Sequence, residues 1–280
     1  MKGRTVMNLI SWLLTLGFLL TGCTGTQQAA SESAPIKTQT SVSTAQADFV
    51  TEQILNGADG AIHYSYYLPE GYDESKSYPM MVVMPGYDRM WFGEESSGSN
   101  LDWNGVQVWT KLEENMIVVS AQLTDWGEKS ARQVNELTEY FLQNFAVDEN
   151  RVYAAGYSAG GETMSQAVSM RPDLYAAYLH GGAQWDGTFA PIAEHKVAVY
   201  IFMAENDEYY GSQKARDAYA SLHDAYWEAG LSDEQIDELL QLEIPDNAYF
   251  NRLGIYNYHG GGSVVFDDES IRSWIIQKEK

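Results

Sequence analysis

The sequence predicts an α/β protein with a mostly parallel central sheet and helices on both faces. Three observations carry that expectation. Short, continuous apolar runs recur along the chain, as buried parallel strands require. Segments of helical periodicity separate them. The part of the chain that can fold, residues 49–280, has the bulk of one such domain.

The elements follow in order. Phe49 to Leu55 and Ala61 to Leu68 read as two strands joined across the turn cluster Asn56-Gly57-Ala58-Asp59-Gly60. Pro69-Glu70-Gly71-Tyr72 is a further turn. Pro79 to Met84 is a fully apolar strand that stops at Pro85-Gly86. Met116 to Ala121, Val152 to Ala155 and Val197 to Met203 are three more buried strands. Ala131 to Phe145 places Val134, Leu137, Tyr140, Phe141 and Leu142 at helical spacing. Helices are also predicted over Glu162 to Met170, Ser212 to Glu228, Ser232 to Leu240 and Asp267 to Gln277, with Ser232 and Gln235 set as a capping box. Strands alternating with helices imply right-handed crossovers.

The N-terminus reads as a targeting segment. Lys2 and Arg4 precede an apolar run from Val6 to Leu20, short for a spanning helix. It ends in Leu20-Thr21-Gly22-Cys23, which resembles the lipobox of bacterial lipoproteins, so residues 1–22 are expected to be a cleaved signal. The resemblance implies acylation of Cys23, the single cysteine of the chain, and a membrane tether without a spanning helix. Residues 23–48, rich in Ser, Thr, Gln and Ala, are expected to be a flexible tether. The domain is then 49–280, in the extracytoplasmic part of a bacterial envelope.

The formal charge is −22, and loss of residues 1–22 would leave −24. That argues against nucleic acid, whose binding depends on neutralising phosphates with Lys and Arg. It fits a solvated acidic surface and neutral or cationic substrates. A lone, acylated cysteine leaves no thiol for disulfides. The chain has no His-Glu-x-x-His motif, so no metal site is expected.

The chemistry is concentrated at Gly156-Tyr157-Ser158-Ala159-Gly160. A strand runs into Gly-x-Ser-x-Gly and then into a helical stretch, the pattern of a nucleophile elbow, in which a sharp turn exposes the serine hydroxyl. Gly156 and Gly160 are needed because side chains there collide with the neighbouring strand or helix. The helix start aims its positive end, and the N–H of Ala159, at a developing oxyanion.

A serine hydroxyl needs a base, and the base an orienting acid. Of five histidines, only His223 and His259 follow the acidic loop, and His223 lies inside a predicted helix. His259, in a glycine-rich loop before the last helix, is the candidate base. The strand ending at Met203 runs into Glu205-Asn206-Asp207-Glu208, at the carboxyl end where functional groups of parallel sheets collect. Asp207 is the chosen acid, with Glu205 and Glu208 as rivals that spacing does not separate. The second oxyanion donor is expected after the Pro79 to Met84 strand, from the N–H of Tyr87 or of Gly86.

Leu68-Pro69-Glu70-Gly71-Tyr72, Lys76-Ser77-Tyr78-Pro79, the Pro-Gly loop and the elbow together resemble the α/β-hydrolases. The resemblance is to secreted poly(3-hydroxybutyrate) depolymerase and feruloyl esterase-like enzymes, and to prolyl-oligopeptidase-like peptidases. It covers most of 49–280. Pro85-Gly86 stands where the common pattern has His-Gly, which spares a backbone donor but leaves the loop conformation open. The resemblance implies the α/β-hydrolase fold and a serine hydrolase of esters, less so of amides, needing no cofactor; a lipoprotein that binds a small ligand without turnover is the non-enzymatic alternative. Trp91, Trp126 and Trp185 follow strands and are candidate walls for the substrate. Residues 230–253 form either a small cap over the site or a peripheral helix.

Overall fold

A computed structural model describes residues 49–93, 100 and 103–280. The signal segment, the tether and Cys23 lie outside the described residues. Eight strands form one sheet: β1 (Phe49–Gly57), β2 (Gly60–Tyr67), β3 (Tyr78–Met84), β4 (Ile117–Gln122), β5 (Val147–Tyr157), β6 (Ala177–Gly181), β7 (Ala198–Phe202) and β8 (Leu240–Glu243). Their spatial order is β1-β2-β4-β3-β5-β6-β7-β8. The hairpin β1–β2 runs antiparallel, β2 meets β4 antiparallel, and every pairing from β4 to β8 is parallel. The described helices are α1 (Asn104–Gln107), α2 (Glu128–Asn144), α3 (Ala159–Met170), α4 (Ala190–Glu194), α5 (Gln213–Glu228), α6 (Asp233–Leu239), α7 (Asn247–Arg252), α8 (Tyr258–Gly261) and α9 (Glu269–Ile276). This is the α/β-hydrolase arrangement.

The strand pleat divides the core in two. Met80, Val82 and Met84 of β3 face a cluster with Val134 and Phe141 of α2, Met164 of α3 and Leu222 of α5. Met81 and Val83 face the other way, onto Trp109, Phe250 and Ile271 and Ile275 of α9. Every residue of β3 and β4 is buried; β3 accordingly reads as an unbroken apolar run, whereas β4 carries the buried polar residues Ser120 and Gln122. Each Val or Met so placed contributes roughly 1.5–3 kcal/mol. At the hairpin edge the β1 residues alternate between half-buried and exposed over most of the strand. Pro79 lacks an N–H for the ladder, and the β3–β5 register shifts at that residue.

Two strands go beyond the sequence reading. β6 is only five residues, Ala-Tyr-Leu-His-Gly, with no β-branched side chain to mark it. β8 was not anticipated: the helix expected over 232–240 ends where it begins, and the two share only Leu240. The capping box does start α6, with Ser232 accepting from Gln235 N–H. The helix stops at Leu239 because Leu240 to Glu243 add to the open edge of β7, with Val199 opposite Leu240. Tertiary pairing there overrides a local helical pattern. Residues 230–253 are therefore an edge strand flanked by α6 and α7. They brace the acidic loop from the side: Glu205 N–H donates to the Pro245 carbonyl at 2.9 Å, and Asn206 Nδ2 to Asn247 at 2.9 Å.

Candidate active site

β5 delivers the chain to Ser158 and α3 takes it away. Ser158 has φ 54° and ψ −127°, a conformation that costs a non-glycine residue about 1–3 kcal/mol. The neighbouring glycines make the turn possible. A Cβ on Gly156 would sit 2.5 Å from the Gly160 carbonyl oxygen, and one on Gly160 would overlap the Met84 carbonyl. Gly86 is different. A Cβ there would meet the Ser158 Cβ at an ordinary 3.5 Å, so its glycine leaves room on the ligand side rather than relieving a clash.

Ser158 Oγ lies 3.0 Å from His259 Nε2, and His259 Nδ1 lies 2.8 Å from Asp207 Oδ2. Asp207 is 6% exposed. Its other oxygen accepts the N–H groups of Tyr209 at 2.9 Å and Tyr210 at 2.8 Å. Burial pushes this carboxyl up, but the hydrogen bonds from His259 and from the Tyr210 and Tyr209 amides outweigh it. The net pKa falls below the ordinary Asp value, and the group is held ionised. Of the two rival acids, Glu205 is exposed and turned to solvent. Glu208 instead accepts the backbone N–H groups of Tyr258 at 3.0 Å and His259 at 2.8 Å.

His259 sits on the one-turn helix α8 rather than in an open loop. Asn257 caps it, accepting from Gly260 N–H at 2.7 Å. The Tyr157 phenol donates to the His259 carbonyl, tying the residue before the serine to the residue that faces it. Burial raises the Tyr157 pKa, so the phenol remains a donor. Tyr209 stacks on the imidazole at 5.3 Å between centroids, and Tyr210 meets it edge-on at 5.5 Å.

Ala159 opens α3 and Tyr87 opens the 3-10 turn Tyr87–Arg89, so neither N–H has a partner within its own helix. Both residues, with Gly86 and Ser158, line a cleft of about 670 Å³. Of the three tryptophans, Trp126 lines this cleft. Trp91 and Trp185 do not. Trp91 is stacked flat on His63 at 3.7 Å, against β2. Trp185 packs on Phe189 and His180, beside a separate recess of about 230 Å³. Both follow strands, but their rings turn into aromatic packing instead of toward Ser158. No residue of 230–253 lines the cleft, so that segment is not a cap.

Sequence reasoning missed Tyr157, Glu162, Tyr209 and Tyr210, all of which line the cleft. Glu162 did carry a signal: it stands four residues after Ser158, on the same face of α3. Among the described residues, no group of three or more His, Cys, Asp or Glu side chains is placed to hold a metal. No described helix is long and apolar enough to cross a membrane.

The fold is that of the α/β-hydrolases. The prolyl oligopeptidase family matches residues 120–229, from β4 through the elbow and the acidic loop to the end of α5. An acetylxylan esterase of Coprinopsis cinerea is 29% identical over 97 residues, which is 35% of this chain and 22% of that protein. A thermostable esterase is similar in structure, with TM-score 0.69 at 18% identity over 83% of this chain and 64% of that one. The feruloyl esterase module from Clostridium thermocellum superposes with TM-score 0.53 at 15% identity, over 80% and 87% of the two chains. The chain spans about a fifth of the curated relative and under two thirds of the thermostable esterase.

Proposed function

We propose that this protein is a serine hydrolase that cleaves carboxylic esters, with Ser158 as nucleophile, His259 as general base and acid, and Asp207 as the orienting carboxylate. The observation that carries the reading is the continuous hydrogen-bonded row Ser158 Oγ, His259 Nε2, His259 Nδ1, Asp207 Oδ2, with steps of 3.0 and 2.8 Å. His259 takes the Ser158 proton as Oγ attacks the ester carbonyl, and the buried Asp207 stabilises the imidazolium. The N–H groups of Ala159 and Tyr87 (or Gly86) hold the tetrahedral oxyanion. His259 then protonates the departing alcohol, and water releases the acyl group by the same steps in reverse. The esterase relatives support an ester substrate.

The test is intact-mass analysis after a fluorophosphonate probe. One adduct on the wild-type protein, lost in Ser158→Ala, is expected. No adduct on the folded wild type overturns the assignment. The match to the prolyl oligopeptidase family favours amides as a second reading, and matched ester and amide substrates separate the two.

We further propose that the enzyme is lipid-anchored and extracytoplasmic in a bacterial envelope, on the strength of Leu20-Thr21-Gly22-Cys23 after a basic and apolar leader. Partition of the protein into a detergent phase, lost in Cys23→Ala, is the expected result.

A further inference from the structure

Glu162 is a carboxylate where the proposed hydrolysis does not require one. It stands on the first turn of α3, is 6% exposed, and lines the cleft that holds Ser158. Its Oε1 accepts the Tyr210 phenol at 2.6 Å, and no described residue partners Oε2. The groups acting on it include no cation. Burial raises its pKa, the Tyr210 hydrogen bond opposes this, and the nearby Asp186 adds to the rise.

The other charged side chains of the lining, Asp88 and Arg89, are of opposite sign. Arg89 pairs with the adjacent Asp88 at 3.6 Å, and no ion pair joins it to Glu162 among the described residues. Aromatic rings supply the remaining walls: Tyr87 meets Trp126 edge-on at 5.6 Å, and Tyr210 closes over Glu162. Past Trp126 the surface continues as an open groove lined by Asp125, Glu128 and Asp186 with one lysine, Lys129. A buried carboxylate without a counter-ion is unfavourable unless a ligand neutralises it or it takes up a proton. Aromatic faces beside a carboxylate are the surroundings that attract a desolvated cation.

We propose that the cleft binds an ammonium group of its substrate, with Glu162 as counter-charge and Trp126 and Tyr87 as the aromatic wall. This rests on the hydrolase reading for the ester but not for the binding. An ammonium head on the acyl or the alcohol side satisfies the same contacts. An anionic ester is repelled.

The experiment compares choline with its uncharged carbon isostere, 3,3-dimethylbutan-1-ol, by titration of tryptophan fluorescence and by calorimetry. Choline is expected to bind about tenfold more tightly than the isostere. Glu162→Gln brings the two within about twofold of each other, and Glu162→Asp, which keeps the charge, retains part of the preference. Equal affinities in the wild-type protein, or a preference unchanged in Glu162→Gln, overturn the proposal. The fluorophosphonate adduct is read separately. An adduct with equal affinities leaves the hydrolase standing without the ammonium site. A choline preference without an adduct does the reverse. Choline acetate and 3,3-dimethylbutyl acetate then place the charge on the alcohol side. Glycine and propionate esters of one alcohol place it on the acyl side.

Discussion

Glu208 holds His259 by its backbone while its neighbour Asp207 holds the same residue by its ring. The Glu208 carboxylate accepts the His259 N–H at 2.8 Å, and Asp207 Oδ2 accepts from Nδ1 at 2.8 Å. Two adjacent carboxylates thus fix one imidazole in both position and tautomer.

Glu208→Ala frees the N–H groups of Tyr258 and His259 to water and loosens α8. A fall in kcat of roughly tenfold with KM little changed is expected, because a small displacement of the proposed base is felt mainly in the chemical step. Steady-state kinetics on a neutral ester check it. An unchanged kcat would mean that Tyr157 and Asp207 suffice to place His259.

Asp207→Asn leaves the packing nearly intact but removes the ionised partner of Nδ1. The kcat is expected to drop by on the order of 10⁴. Glu205→Gln, on an exposed side chain, is expected to change it less than about twofold.

Asp207 also gives stability a pH signature. Its folded pKa lies below the ordinary 3.8, so the unfolded chain takes up this proton at higher pH than the folded one. The stabilisation is complete above the unfolded value and is lost as pH falls below about 3.8 toward the folded value. Urea midpoints between pH 6 and pH 3 are expected to fall less steeply in Asp207→Asn than in the wild type.

Glu162 carries the opposite sign. Its pKa is raised above 4.5, so the folded state holds the proton more tightly, and the contribution is full below the unfolded pKa and lost as pH rises through the folded one. Glu162→Gln is therefore expected to raise Tm at pH 7 by roughly 2 °C, a gain that vanishes at pH 4. Calorimetric scans at the two pH values measure the difference.

Gly160→Ala forces a methyl group into the Met84 carbonyl between β3 and α3. A loss of about 3 kcal/mol or more in urea unfolding is expected, since the obstacle is backbone that cannot turn aside. Gly86→Ala, whose methyl would make ordinary contacts, is expected to leave stability within about 0.5 kcal/mol and to act only on substrate turnover.

Much of the architecture was legible because it is local. Pro79 to Met84 is an unbroken apolar run and Met116 to Ala121 is broken only by Ser120, as strands buried on both faces favour. The turn at Ser158 is likewise dictated within five residues, by glycines whose replacement would overlap backbone. β8 was illegible for the opposite reason. Leu239-Leu240-Gln241-Leu242 suits a helix, and only the free edge of β7 makes it a strand.

The sequence by itself determined the elbow, the alternation of strands and helices, the acidic balance and the order serine, acid, histidine. Each depends on neighbours in the chain or on composition. The tertiary structure decided which carboxylate meets the imidazole, sent Trp91 and Trp185 into packing while leaving Trp126 at the cleft, and brought Tyr210 onto Glu162. Those outcomes depend on distances between loops tens of residues apart. Adjacent carboxylates alike in charge and spacing differ only in where the folded backbone points them.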